Sequence, residues 1–137
     1  PRRSLVLLFS DLLDPDPADP DPDTRLLLDL SALRSRGHDV VLVQVLHRDE
    51  LEFPWSGRGL WRFEDPRGAR TPREGHAPGL RAAYLERLHE HQTRLERGCA
   101  DGGLHLHRCV SDQPLTAALL GLLARLAGRP QPAEARP

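Results

Sequence analysis

Two runs, Leu5-Val6-Leu7-Leu8-Phe9-Ser10-Asp11 and Val40-Val41-Leu42-Val43-Gln44-Val45-Leu46, decide the fold. Each is a near-continuous apolar segment of strand length. That pattern suits strands buried on both faces of a parallel sheet rather than the alternating strands of an exposed one. Between them the spacing predicts a helix over residues 24–36. Thr24 stands where an N-cap belongs, Leu26, Leu30 and Leu33 fall on one face, and Gly37 follows the last turn. Strand, helix and strand make a βαβ unit, whose crossover is right-handed. In open parallel sheets, ligands bind beyond the carboxyl ends of the strands, so Asp11 stands at a place of interest. The first strand follows only Pro1-Arg2-Arg3-Ser4. The expectation is therefore the second half of an α/β domain, with part of any site at Asp11 lying outside it.

Further along, residues 47–75 break the rhythm. This stretch holds both Trp residues and all but one of the Phe residues. Residues 60–64 and 68–73 are expected to pair as a β-hairpin across Asp65-Pro66-Arg67-Gly68, a turn-forming run. A long helix is predicted over residues 78–99, with Leu80, Tyr84, Leu88, His91 and Leu95 on its packed face. Leu104 to Val110 reads as a third strand, with Leu104, Leu106 and Arg108 sharing a face. Ser111-Asp112 is a capping signal, Pro114 suits an early helical position, and Leu115, Leu119, Leu122 and Leu126 stripe a last helix. Residues 129–137 are expected to be a disordered tail. The order is β-α-β-hairpin-α-β-α over residues 1–128. It forms part of a three-layer, doubly wound, mostly parallel α/β sheet of Rossmann-like type, with an insertion at about 47–75.

The 137 residues suit one domain, and 39% apolar with 28% charged residues suits a globular one. The net charge of -1 gives no global field for nucleic acid or an anionic membrane. All 19 basic residues are Arg, and Lys, Ile, Asn and Met are absent, a bias of a GC-rich genome rather than of function. No segment approaches the roughly 20 apolar residues of a membrane span, and no signal peptide is visible. Cys99 and Cys109 form no CxxC pair and are expected to be reduced thiols in a cytoplasmic setting.

Several groups are candidates for chemistry. Asp11, with Ser10 before it, could ligate a hard divalent cation such as Mg²⁺, which takes oxygen donors; a strand-end Asp that accepts backbone N–H bonds is the plainer reading. Asp14, Asp16, Asp19, Asp21 and Asp23 form an Asp-Pro tract without the Gly and terminal Glu of a Ca²⁺ loop. His105 and His107 alternate on one strand with no third ligand evident, and His89 and His91 diverge on a helix. No GxSxG, GxGxxG or P-loop occurs. Trp55, Trp61, Phe53 and Phe63, with Arg58 and Arg62, suit either a protein-binding patch or a hairpin folded back over its own aromatics.

Several segments together resemble a known family. They are Leu-Leu-Phe-Ser-Asp-Leu-Leu-Asp-Pro (7–15), Leu-Arg-Ser-Arg-Gly-His-Asp-Val-Val-Leu-Val-Gln-Val-Leu (33–46), Asp-Glu-Leu-Glu-Phe-Pro (49–54), Arg-Phe-Glu-Asp-Pro-Arg-Gly (62–68), Leu-Arg-Ala-Ala-Tyr-Leu-Glu-Arg-Leu (80–88) and Ser-Asp-Gln-Pro-Leu (111–115). Over nearly all of residues 4–126 the chain is similar to the carboxyl-terminal half of the bacterial domain-of-unknown-function-58 proteins, which carry a von Willebrand factor A-like domain. The resemblance implies a metal-ion-dependent adhesion site in which Asp11 matches the Asp that ends the fourth strand. The DxSxS motif and the Thr of that site have no counterpart here, so Mg²⁺ is implied only together with a further portion of domain. The resemblance also implies a non-enzymatic protein-interaction module partnered with a MoxR-type AAA ATPase. Trp55, Trp61 and Phe63, read from the aromatic insertion itself, are the candidates for a second contact surface. Some family members carry amino-terminal membrane helices. The alternatives are a metal-dependent hydrolase centred on Asp11 or on His105 and His107, and a scaffold with a degenerate metal site.

Overall fold

Three parallel strands share one sheet: β1 (Leu5–Ser10), β2 (Asp39–Leu46) and β5 (His105–Val110), in the order β1-β2-β5. The structure is a computed structural model that describes residues 3–13, 21–56, 59–65, 68 and 71–127. Between β1 and β2 runs α1 (Pro22–Ser35). Between β2 and β5 come α2 (Arg48–Glu52), a hairpin of β3 (Trp61–Phe63) and β4 (Arg73–Gly75), and α3 (Ala77–Asp101); α4 (Leu115–Ala127) follows β5. The expected order of strands and long helices is what the chain adopts.

The sheet register explains the layers. Leu7 lies opposite Val41 and Phe9 opposite Val43, while Val41 lies opposite His105 and Val43 opposite His107. Side chains alternate along each strand. Val40, Leu42 and Gln44 therefore face one way and Val41, Val43 and Val45 the other. Because the strand order steps in one direction, right-handed crossovers place α1 and α3 on the same face. There Leu27 and Leu30 of α1, Leu95 and Cys99 of α3, Leu104, Val40 and Leu42 form one buried cluster, with Val6, Leu8 and Leu106 packed against it. On the other face, among the described residues, lies α4 alone, whose Leu122 packs with Val41 and Val43.

Local chemistry sets the helix ends, with some differences from expectation. Thr24 is not the N-cap of α1. Asp21 is, and its carboxylate accepts the Thr24 N–H at 3.3 Å. Pro22 supplies a fixed φ at the first helical position. The bonds to Thr24 hold the Asp21 carboxyl below its usual range. Gly37 takes φ +90°, as a residue closing a helix does at lowest cost. The pentapeptide α2 was not foreseen. His47 caps it in a reciprocal box, accepting from Asp49 N–H at Nδ1 while Glu50 Oε2 accepts from His47 N–H. The hairpin exists, but its second strand lies later than expected, with Phe63 opposite Arg73. The Asp112 carboxylate, expected as part of a capping signal, is drawn to Arg48 at 2.6 Å, which lowers its pKa.

Two expected stripes are only partly buried. On α3, Leu88 and Leu95 are buried, yet Leu80 is largely exposed. On α4, Leu122 is buried, whereas Leu115 and Leu119 are exposed. The expected tail at 129–137 and most of the Asp-Pro tract, residues 14–20, lie outside the described residues. Among those described, no helix is long and apolar enough to cross a membrane.

Both cysteines are free thiols. Burial pushes the Cys99 thiol up to about 11, and burial also raises that of Cys109. An unfolded chain ionises Cys99 near its ordinary pKa, while the folded chain holds the proton longer. Folding stability from this residue is thus complete below about pH 9 and lost as the pH rises towards about 11. We expect urea titrations across this range to show a falling unfolding free energy, and Cys99→Ala to flatten the fall. Leu95→Ala, which empties the space between α3 and the sheet, is expected to cost about 2–5 kcal/mol by the same assay.

Candidate functional site at the carboxyl edge of the sheet

The carboxyl edge is organised by one side chain that interrupts an apolar strand. Gln44 sits near the end of β2 and is fully buried. A buried amide must find partners on both its ends. Its Nε2 donates to the carbonyl of Asp11 at 3.2 Å, and its Oε1 accepts from Arg108 Nε at 3.1 Å. Arg108, on β5, donates further to Glu96 Oε1 at 2.7 Å and to the Gln92 carbonyl at 3.2 Å, both on α3. A single polar chain thus crosses from the end of β1 through β2 and β5 to α3.

The turn after β1 hangs on this chain. Leu12 adopts φ +59°, a left-handed conformation that costs a non-glycine residue about 1–2 kcal/mol. Three interactions hold it there. Ser10 Oγ accepts the Leu12 N–H at 3.2 Å, Gln44 fixes the Asp11 carbonyl, and the Leu12 side chain packs against the core on the α1/α3 face. Asp11 is left exposed at the tip, its Oδ1 accepting the Leu13 N–H over a long 3.4 Å. The other described acids of this edge are engaged. Asp112 meets Arg48 at 2.6 Å, Glu50 caps α2, Asp49 lies 3.5 Å from His47, and Glu52 lies 3.6 Å from Arg48. Among the described residues of the edge, Asp11 is the acid least committed to a partner.

The expected metal pair does not by itself make a Mg²⁺ site. Ser10 lies in β1 on the face of Val6 and Leu8, and its oxygen is turned to Leu12 N–H rather than towards the Asp11 carboxylate. Among the described residues, no three His, Cys, Asp or Glu side chains gather as a metal would require. Mg²⁺ prefers six oxygen ligands in near-octahedral array, and the described residues offer it one carboxylate. His105 and His107 do share a face, as expected; His107 is buried beneath α4 and His105 is exposed.

The aromatic insertion folds inwards. Phe53, at φ +46°, closes α2 and is buried. Its ring meets Trp55 edge-on at 4.6 Å, Tyr84 of α3 at 4.8 Å and Phe63 at 6.5 Å. Trp55 and Phe63 are therefore half-buried in the chain's own aromatic cluster, and Trp61 is the more exposed, at 36%. Arg58 lies outside the described residues.

One pairing was missed by sequence reasoning. His91 of α3 meets Asp23, in the first turn of α1, at 2.9 Å between Nδ1 and Oδ2, and both are mostly buried. The His91 Nε2 is buried without a hydrogen-bond partner among the described residues. A histidine within the core-facing stripe of a helix was the available signal.

Comparisons of the chain with protein-family models, curated proteins and solved structures returned no match in any of the three.

Replacing Gln44 by Leu keeps its approximate volume but strands the Asp11 carbonyl and one Arg108 donor. We expect a loss of about 1–3 kcal/mol in urea unfolding, with faster amide exchange at Leu12 and Leu13. Unchanged exchange at those two amides would mean that the turn does not depend on Gln44.

Proposed function

We propose that this chain is a protein–protein interaction module of the von Willebrand factor A-like kind, and that it contacts its partner at the carboxyl edge of the sheet around Asp11. One observation carries the proposal. Asp11 is an exposed, little-committed carboxylate on a backbone fixed from beneath by a buried polar chain. A charged group so presented loses little freedom on meeting a partner cation, and charge-assisted hydrogen bonds are among the stronger polar contacts. The strained Leu12 beside it is the kind of backbone feature that concentrates at functional turns. The parallel α/β sheet, with helices on both faces and the candidate at a strand's carboxyl end, agrees with the family resemblance drawn from residues 7–15, 33–46 and 111–115. The partner class proposed from that resemblance is a MoxR-type AAA ATPase. Mg²⁺ at Asp11 belongs to the proposal only with donors from a further portion of domain, since the described residues supply it with too few.

The test is binding of a MoxR-type ATPase from the same genome to the immobilised chain, by biolayer interferometry. Asp11→Ala is expected to weaken binding about tenfold or more, the scale of one lost charge-assisted bond. Arg62→Ala, on the hairpin, is expected to leave it unchanged. Running each series with Mg²⁺ and with chelator shows whether a cation contributes. An Asp11→Ala chain that binds as tightly as the parent under both conditions would overturn the proposal.

A further inference from the structure

The sheet is covered unequally. Strands lie about 4.8 Å apart and a helix is about 10 Å across, so one helix covers about two strands. Two helices, α1 and α3, cover three strands on one face. On the other, among the described residues, α4 stands alone over β2 and β5. The row left bare is apolar: Leu5, Leu7 and Phe9 of β1, with Phe9 54% exposed.

The helix beside this row has the complementary excess. Of the thirteen residues of α4, only Thr116 and Arg125 are polar. A helix apolar nearly all round is built to be covered on more than one side. Its orientation can be read from its contacts. Gly121 approaches the His107 ring, so its small-residue flank lies over the outer strand β5, while Leu122 points to Val41 and Val43 on β2. At 100° per residue, Leu119 and Leu123 then lean towards β1, and Leu120 points off the sheet. All three are exposed, Leu123 by 57%. A one-helix-wide apolar groove over β1 therefore adjoins a helix whose outer flank is leucine.

We propose that the occupant of this groove is the α4 helix of a second copy. A twofold contact places the two α4 helices side by side between two facing sheets. Each helix covers its own β2 and β5 with one flank and the other copy's β1 with its opposite flank. One self-complementary contact thus satisfies both deficits in both copies, as isologous interfaces do. The six side chains expose on the order of 600 Å² per copy, or about 1,200 Å² for the pair, which reaches the lower range of specific stable interfaces. Per copy it stands at the top of the roughly 300–600 Å² that the largest apolar patch of a monomer reaches, a patch that is often functional. The inference does not use the contact proposed at Asp11, and a further portion of domain seated on β1 is the occupant that a second copy competes with.

Sedimentation velocity over a micromolar dilution series tests it. The parent chain is expected to sediment as two copies. Phe9→Glu, in the groove, and Leu123→Glu, on the helix flank, should each raise the dimer dissociation constant about tenfold or more, as buried charges at an apolar interface do. An equimolar mixture of the two variants should dimerise more tightly than Leu123→Glu alone, because it keeps one unaltered helix-in-groove contact. Far-UV circular dichroism confirms that the variants fold. Leu120→Glu, whose side chain stands clear of its own sheet, repeats the test if Leu123→Glu loses helicity. A monomeric parent overturns the proposal. So do open-ended oligomers, which would indicate pairing along the β1 edge, a dimer indifferent to the substitutions, and a monomer that instead takes up an added amphipathic helical peptide.

Discussion

Everything else in this molecule is arranged around the burial of β2. Val40, Val41, Leu42 and Val43 are almost wholly removed from water, and that requires a strand on each side and a layer on each face. β1 and β5 supply the flanking strands, α1 and α3 one layer, and α4 the other. Backbone groups of β2 find partners on both edges, from β1 along Asp39–Gln44 and from β5 along Val41–Leu46. β1 and β5 each pair on a single edge. β1 differs in a second respect, because among the described residues only one of its faces is covered. Its sequence is nonetheless almost as apolar as that of β2, so the least covered strand carries the composition of a core strand.

Full burial of β2 also explains why its one polar residue matters. Gln44 cannot be hydrated, so both ends of its amide are committed to protein groups. Those groups belong to the two neighbouring strands. The amide ties the turn after β1 to Arg108, and Arg108 ties β5 to α3. The energy of each bond is modest, about 1 kcal/mol net, but the cost of leaving one unmade is larger. That asymmetry gives the carboxyl edge a defined shape although it consists of loop. It also offsets the unfavourable left-handed conformation of Leu12 and leaves the Asp11 carboxylate projecting.

The strands and long helices were legible because apolar periodicity reports burial directly. The continuous run at 40–46 and the stripe through Leu88 and Leu95 each correspond to a buried row, whereas the run at 5–9 departs from the expectation of a strand buried on both faces: Val6 and Leu8 are half-buried, and Leu5, Leu7 and Phe9 are exposed. The misplacements have physical causes. Thr24 and Asp21 are both competent caps, and Pro22 between them decides for Asp21, since proline fits at the helix start. The five-residue α2 is too short for any period to register. The leucines of α4 declare an apolar helix but not which flank meets the sheet; the contact of Gly121 with His107 settles that. At the candidate site, Asp11 was visible from its place at a strand end. The chain through Gln44 and Arg108 was not, because it joins residues far apart in sequence that share a face only once the register is known.

The two surfaces singled out on this chain meet on one strand for a common reason. A βαβ sheet presents its loops at the carboxyl edge, where side chains such as Asp11 are free to act without disturbing the core. It presents its apolar rows on its faces, where they must be covered. In β2 and β5 the second requirement is met within the chain. In β1 it is met on one face by α1 and α3, through Val6 and Leu8, and on the other face by nothing among the described residues. Any group that covers Leu5, Leu7 and Phe9 therefore also stabilises the strand from which Asp11 projects. Burial there is non-directional and scales with area. The edge contact is directional and depends on charge. A chain that divides its contacts in this way can gain stability from the apolar contact and selectivity from the polar one.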